Sequence, residues 1–180
     1  MEKAILVGAE LKNERMLDYY MEELQKLAEA KNIDVQYSFT QSLQRISSKF
    51  YIGSGKVAEI KQFVDNLDAT LVIFNNELSG SQIRNLENEL DCRVIDRTLL
   101  ILDIFAERAK TKEAMLQVEI AQLEYMLPRL IGLTESLNRQ QGGIGSRGPG
   151  EKKLELDRRK ILSETVYLKM DREDKIAYRK

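Results

Sequence analysis

The residues best equipped for chemistry fall in one stretch, Arg139-Gln140-Gln141-Gly142-Gly143-Ile144-Gly145-Ser146-Arg147-Gly148-Pro149-Gly150. Five of the ten glycines in the chain lie between positions 142 and 150. Glycine loses more backbone freedom on ordering than any other residue, so neither helix nor strand tolerates this density. The density does suit a backbone that must come close to a crowded partner. Arg139 and Arg147 add planar donor forks for phosphates or bases, and Ile144 and Pro149 add small apolar contacts. Lys152, Lys153, Arg158 and Arg159 follow on one face of a predicted helix, where they would make salt-dependent phosphate contacts.

Other chemistries fare worse. The chain has no histidine, which removes the commonest general base, the commonest metal ligand and every histidine-dependent triad. Cys92 is the only cysteine, so there is no internal disulfide, as suits a reducing compartment. It stands where a strand should begin and reads as a small buried side chain, not a nucleophile. Gln140-Gln141-Gly142-Gly143 holds the ingredients of a release-factor Gly-Gly-Gln tip in reverse order, so the amide would not emerge in the same backbone geometry. Tyr51-Ile52-Gly53-Ser54-Gly55-Lys56 invites a phosphate-loop reading, but Phe50 occupies the first glycine position and Val57 replaces the hydroxyl that meets Mg2+. It reads as a tight turn opening a helix, with Gly53, Ser54, Gly55 and Lys56 left as a weak anion or nucleotide site at the helix N-terminus.

Charge is unevenly placed. The net charge is -1 over 180 residues, but residues 136–180 hold 12 Lys+Arg against 7 Asp+Glu, while the other 135 hold 16 against 22. A basic, polyanion-facing part on an acidic part is one reading; a solvated basic helix is the other. No apolar run approaches the roughly 20 residues of a membrane span, and the N-terminal run is too short for a signal peptide, which predicts a cytoplasmic protein.

These residues need elements to position them. Ala4-Ile5-Leu6-Val7 before Gly8 is predicted as a buried strand ending in a turn. Leu17, Tyr20, Met21, Leu24, Leu27 and Ala28 make one face of a helix ending near Lys31-Asn32. Ile33, Val35, Tyr37 and Phe39 alternate as a strand, and Ser42 to Ser48 reads as loop or short helix. Val57, Ile60, Val64 and Leu67 give a second helix and Thr70 to Phe74 a third strand. Ser79 with Gln82 is a capping-box pattern opening a third helix, and Cys92 to Ile95 is a last strand with Asp96 as the next cap. The alternation predicts an α/β fold over residues 1–96, a small, mainly parallel sheet flanked by helices. Ligands in such sheets sit beyond strand carboxyl ends, here near Gly8-Ala9-Glu10 and Asn75-Asn76, although nothing catalytic gathers there. From Arg97 to about Leu130 a stripe at three- and four-residue steps predicts one helix of roughly 50 Å, with a kink or break near Glu124 to Leu127 caused by Pro128. Glu151 onward is helical again. Residues 97–175 thus read as a long antiparallel helical hairpin, a coiled coil with its tip at 136–150, and residues 176–180 as a linker.

Several of these segments resemble the HflX family of translational GTPases. They include Val94 to Ala109, Leu116 to Leu123 with Leu127-Pro128-Arg129-Leu130, and Tyr51 to Lys56. The strongest match is Gly142 to Glu151 with Lys153-Leu154-Glu155-Leu156-Asp157-Arg158-Arg159. The family usually carries Gly-Lys where Ala114-Met115 stands, and often a third glycine in place of Gln141. The resemblance implies binding to the large ribosomal subunit, splitting or rescue of 70S ribosomes, and a hairpin tip that probes 23S rRNA near the peptidyl-transferase centre. It also implies a GTPase domain after the second hairpin helix. No phosphate loop and no Asn-Lys-x-Asp guanine motif occur in these 180 residues, so GTP and Mg2+ are expected in that domain and no cofactor or catalysis in this chain. A monomer is expected, with its own GTPase domain as partner. The alternative is a nucleotide-binding α/β domain using the turn from Gly53 to Lys56.

Overall fold

The computed structural model describes residues 1–12 and 16–140, with side chains described as far as Arg129. The elements are β1 (Lys3–Leu11), α1 (Leu17–Ala30), β2 (Asp34–Leu43), α2 (Ser54–Leu67), β3 (Leu71–Phe74), α3 (Gly80–Leu90), β4 (Arg93–Asp96), α4 (Arg97–Arg108) and α5 (Lys112–Gln140). The four strands form one sheet in the order β2-β1-β3-β4, every pair parallel. Parallel neighbours need crossover connections, and here each is a helix laid on the sheet.

Side-chain alternation sorts the strand residues onto two faces. On one, Ile5, Val7, Val72, Phe74 and Val94 pack with Val57, Ile60 and Val64 of α2 and Leu86 and Leu90 of α3. On the other, Ala4, Leu6, Leu71, Ile73 and Ile95 pack with Leu17, Met21, Leu24 and Ala28 of α1 and Leu100 and Ile104 of α4. Both faces are covered, which is why β1 and β3 read as unbroken apolar runs. Contacts divide the chain into a first compact unit, Met1–Ile104, and a second, Phe105–Lys180.

The helix ends are settled by local chemistry. Ser79 accepts from the Gln82 backbone N–H at 3.1 Å and the Gln82 side chain accepts from Ser79 N–H at 2.9 Å, completing the predicted capping box. Asn32, Asp68 and Asp91 follow the first three helices with φ of 57°, 54° and 51°. Asn and Asp tolerate this left-handed conformation better than other residues with a Cβ, so these helices stop without a terminal glycine.

Four expectations change. β1 does not turn at Gly8 but runs through it to Leu11. A Cβ on Gly8 would collide with Met21 Sδ and lie 3.0 Å from Leu17 Cδ1, so the glycine lets α1 pack against the strand. β2 extends to Leu43, and the segment after it closes through an antiparallel bridge between Ser47 and Tyr51, not a short helix. The single helix from Arg97 is two helices: Thr111 Oγ1 accepts from Ala114 N–H at 3.1 Å and starts α5. An apolar stripe does not register such a cap, because threonine caps on the polar side of the pattern. Finally, α5 continues through Pro128 without a break. Beside it the Arg129 guanidinium lies 3.3 Å from the Tyr125 ring centroid and donates to Tyr125 O at 2.8 Å.

Two glycines predict opposite outcomes. Gly8→Ala should lower the unfolding free energy in urea by about 1–3 kcal/mol, because the added methyl overpacks the α1 contact. Gly55→Ala, where a Cβ meets nothing within 4 Å, should raise it by about 0.5–1 kcal/mol.

Candidate functional site

In an open parallel sheet the crevice for ligands lies at the strand carboxyl ends, where consecutive connections leave in opposite directions. Here that point is between β1 and β3, since β2 lies on one side of β1 and β3 on the other. The protein's own polar groups occupy it. Asn76 accepts from Ala9 N–H at 2.9 Å and donates to Ala9 O at 2.9 Å and to the Tyr51 hydroxyl at 3.2 Å. Its neighbour Asn75 accepts from Arg97 Nη1 at 2.6 Å, while Arg97 Nη2 pairs with Glu23 at 3.1 Å and the guanidinium lies 5.7 Å from the Tyr20 ring centroid. Tyr20 itself is exposed, at the edge of the predicted apolar face of α1. Asp96 is fully buried, accepting from Leu78 N–H and Leu99 N–H at 3.1 Å each. It caps α4 as expected and also ties down the turn after β3. Asn75, Asn76 and Asp96 thus tie elements together, with Ala9 inside β1 and Asn75-Asn76 in the turn after β3.

The turn from Gly53 to Lys56 opens α2, with Gly53 as its N-cap. Gly53 N–H donates to Gln41 Oε1 at 3.2 Å, Lys56 pairs with Glu59 at 3.0 Å, and Val57 is buried in the core. Ser54 and Gly55 are exposed. A nucleotide triphosphate needs a wrapped row of N–H groups, a reaching lysine and a hydroxyl for Mg2+. With the glycine N–H and the lysine engaged and valine at the hydroxyl position, these residues do not fit GTP with Mg2+. Among the described residues no group of three or more acidic, cysteine or histidine side chains could hold a metal ion. Nor is any described helix long and apolar enough to cross a membrane.

Beside Gly53 lies a cavity of about 460 Å³ lined by Leu43, Arg45, Ile46, Ser47, Ser48, Ile52 and Gly53. Its walls are pinned from α3: Gln82 Nε2 donates to Ser47 O at 2.8 Å and Asn85 Nδ2 to Lys49 O at 3.1 Å. Ser47 and Tyr51 exchange backbone bonds of 3.0 and 2.9 Å, and Tyr51 takes a φ of 67°, unusual for a bulky side chain. Arg45, Ile46 and Ser48 were not legible as a site, because Ser42 to Ser48 has no period. Its one signal was an isolated Arg-Ile pair in a polar stretch.

Cys92 precedes β4 and is half-buried; burial pushes its thiol up to about 11, against the pull of the Lys61 charge. The proposed RNA-contacting residues lie beyond this unit. Arg139 and Gln140 end α5, their side chains outside the described residues. Gln141, Gly142, Gly143, Ile144, Gly145, Ser146, Arg147, Gly148, Pro149 and Gly150, with Lys152, Lys153, Arg158 and Arg159, lie outside them altogether.

Comparison with known proteins follows the same division. Residues 18–106 match the GTP-binding GTPase N-terminal family and residues 108–173 the GTP-binding GTPase middle region. The chain is 53% identical over 162 residues to GTPase HflX of Caldanaerobacter subterraneus, covering 89% of this chain and 37% of that protein. It is 42% identical over 167 residues to GTPase HflX of Escherichia coli, covering 93% and 39%. It therefore spans about two fifths of the length of these relatives. A crystal structure of a GTP-binding protein from Sulfolobus solfataricus in complex with GDP superposes with a TM-score of 0.60 at 28% identity, covering 94% of this chain and 46% of that one.

Asn76→Ala removes two bonds to Ala9 and should destabilise the fold by about 1–3 kcal/mol in chemical denaturation. Cys92 should alkylate slowly at pH 8, where on the order of one part in a thousand is thiolate, and the rate should rise roughly tenfold per pH unit between pH 7.5 and 9.5.

Proposed function

The chain belongs to the HflX family of GTPases, matching its N-terminal and middle regions, and on that footing we propose that it is the ribosome-facing part of such a protein. In this reading it binds the large ribosomal subunit through 23S rRNA, and the full-length protein splits or rescues 70S ribosomes. The observation that carries it is the charge division: the excess of Lys+Arg, 12 against 7, falls in residues 136–180, which overlap the matched middle region.

α5 and the residues after Gly150 form the two arms of an antiparallel coiled-coil hairpin in this proposal. The glycine-dense segment from Gly142 to Gly150 is its tip, near the peptidyl-transferase centre. Glycines there allow backbone to approach RNA closely. Arg139 and Arg147 present forked donors to phosphates or base edges. Lys152, Lys153, Arg158 and Arg159 neutralise further phosphates and make the affinity fall with salt. The chain works as a monomer in the cytoplasm and is not itself catalytic. GTP with Mg2+ is bound by a GTPase domain of the full-length protein, consistent with the poor fit of the turn from Gly53 to Lys56.

Sedimentation with isolated large subunits tests the reading. Binding should weaken as salt is raised from 50 to 200 mM, and Arg139→Ala with Arg147→Ala should weaken it on the order of tenfold or more, with a shallower salt slope. No co-sedimentation of the parent chain, or equal binding by the double variant, would overturn the proposed role of the tip.

A further inference from the structure

We propose that one exposed turn at the start of α1, formed by Met16, Tyr19 and Glu22, docks an arginine-bearing segment of a protein partner, a surface independent of the RNA-facing reading. Met16 is 52%, Tyr19 58% and Tyr20 42% exposed. Clustered exposure of large apolar side chains, unlike a scatter of single ones, points to a contact surface. The fold itself shows what this chemistry holds. The Arg97 guanidinium lies 5.7 Å from the Tyr20 ring centroid and 3.1 Å from Glu23, so a ring and a carboxylate three residues later hold one guanidinium together. Tyr19 and Glu22 repeat that pair at the same spacing one residue earlier, and residues three apart are neighbours on a helix surface. Both are exposed, and neither has an ion pair or a cation contact among the described residues. An edge-to-face contact of 5.7 Å with Tyr20 steadies the Tyr19 ring. Met16, three residues before Tyr19, offers apolar surface to the aliphatic stem of an incoming arginine.

Charge selects the partner. α1 carries Asp18, Glu22, Glu23 and Glu29 against Lys26 alone. A phosphate strand is repelled by such a helix. A second copy applied by a two-fold axis would set the same carboxylates against one another, because that symmetry places one patch on itself. A basic segment is attracted. Arginine suits the pair better than lysine, since its planar guanidinium stacks on a ring while donating to a carboxylate.

The test is fluorescence anisotropy of the chain with a labelled decapeptide of alternating arginine and glycine, beside the same peptide with neutral citrulline for arginine. Tyr19 and Glu22 are exposed, so their variants should leave circular dichroism unchanged. The arginine peptide should bind and the citrulline peptide should not. Tyr19→Ala should raise the Kd roughly tenfold, while Tyr19→Phe, which keeps the ring, should stay near the parent value. Glu22→Gln should raise the Kd several-fold and weaken its dependence on salt, and Glu89→Gln, an exposed carboxylate of α3, should change neither. A Kd unaltered by Tyr19→Ala, or raised as much by Glu89→Gln as by Glu22→Gln, would overturn the proposal, the attraction then being general acidity. So would a dimer in light scattering that Tyr19→Ala dissolves, or Tyr19-dependent binding of a single-stranded RNA decamer in place of the peptide. Loss of large-subunit sedimentation with peptide binding intact would remove the ribosome-facing reading and leave this surface standing.

Discussion

β1 lies between β2 and β3, and Ala4, Ile5, Leu6 and Val7 are all fully buried, so the strand must meet apolar surface above and below at once. That requirement places α2 and α3 on one face and α1 and α4 on the other. It also explains Gly8. A Cβ there would run into the Met21 and Leu17 side chains of α1, and the strand continues through a residue that would otherwise read as its end. Burial of this kind contributes about 25 cal/mol for each Å² of apolar surface removed from water, so the two clusters outweigh any surface ion pair in the unit.

A sheet covered on both faces leaves its polar business to its ends. Asn76 ties β1 to the turn after β3, Asp96 ties that turn to the start of α4, and Arg97 joins α1 to Asn75. The Asn76 and Asp96 bonds are side-chain answers to backbone groups, the Arg97 bonds join side chains, and leaving buried polar groups unmatched is costly. They fill the position where many open α/β sheets keep a ligand. A cavity lies instead at the end of β2, beside a loop held from α3.

The chain then divides its labour by charge. The sheet-bearing unit lies in the acidic part of the sequence, and the excess of positive charge is concentrated after residue 135. The family match spans both parts, with its division between residues 106 and 108, close to the end of α4 at Arg108.

Much of the fold was legible because it rests on periodicities that a chain carries in one dimension. Leu17, Met21, Leu24 and Ala28 announce α1, and Ser79 with Gln82 announces α3. The failures have a common cause. Gly8 is a turn former by type, but pairing with Thr40 across the ladder keeps it in the strand, and Met21 and Leu17 crowd the place a side chain would take. At Gly53 the sequence reading of a turn opening a helix holds, and what it could not show is that Gln41 and Glu59 engage the Gly53 N–H and Lys56. The cavity draws Leu43, Arg45, Ile46 and Ile52 together through a bridge and two bonds from a helix some 35 residues away, which no local pattern records. The sequence by itself determined the order of most strands and helices, the family, and the uneven charge. Which polar groups are engaged within the fold was decided only by tertiary structure, because that depends on what each group can reach once the chain is folded.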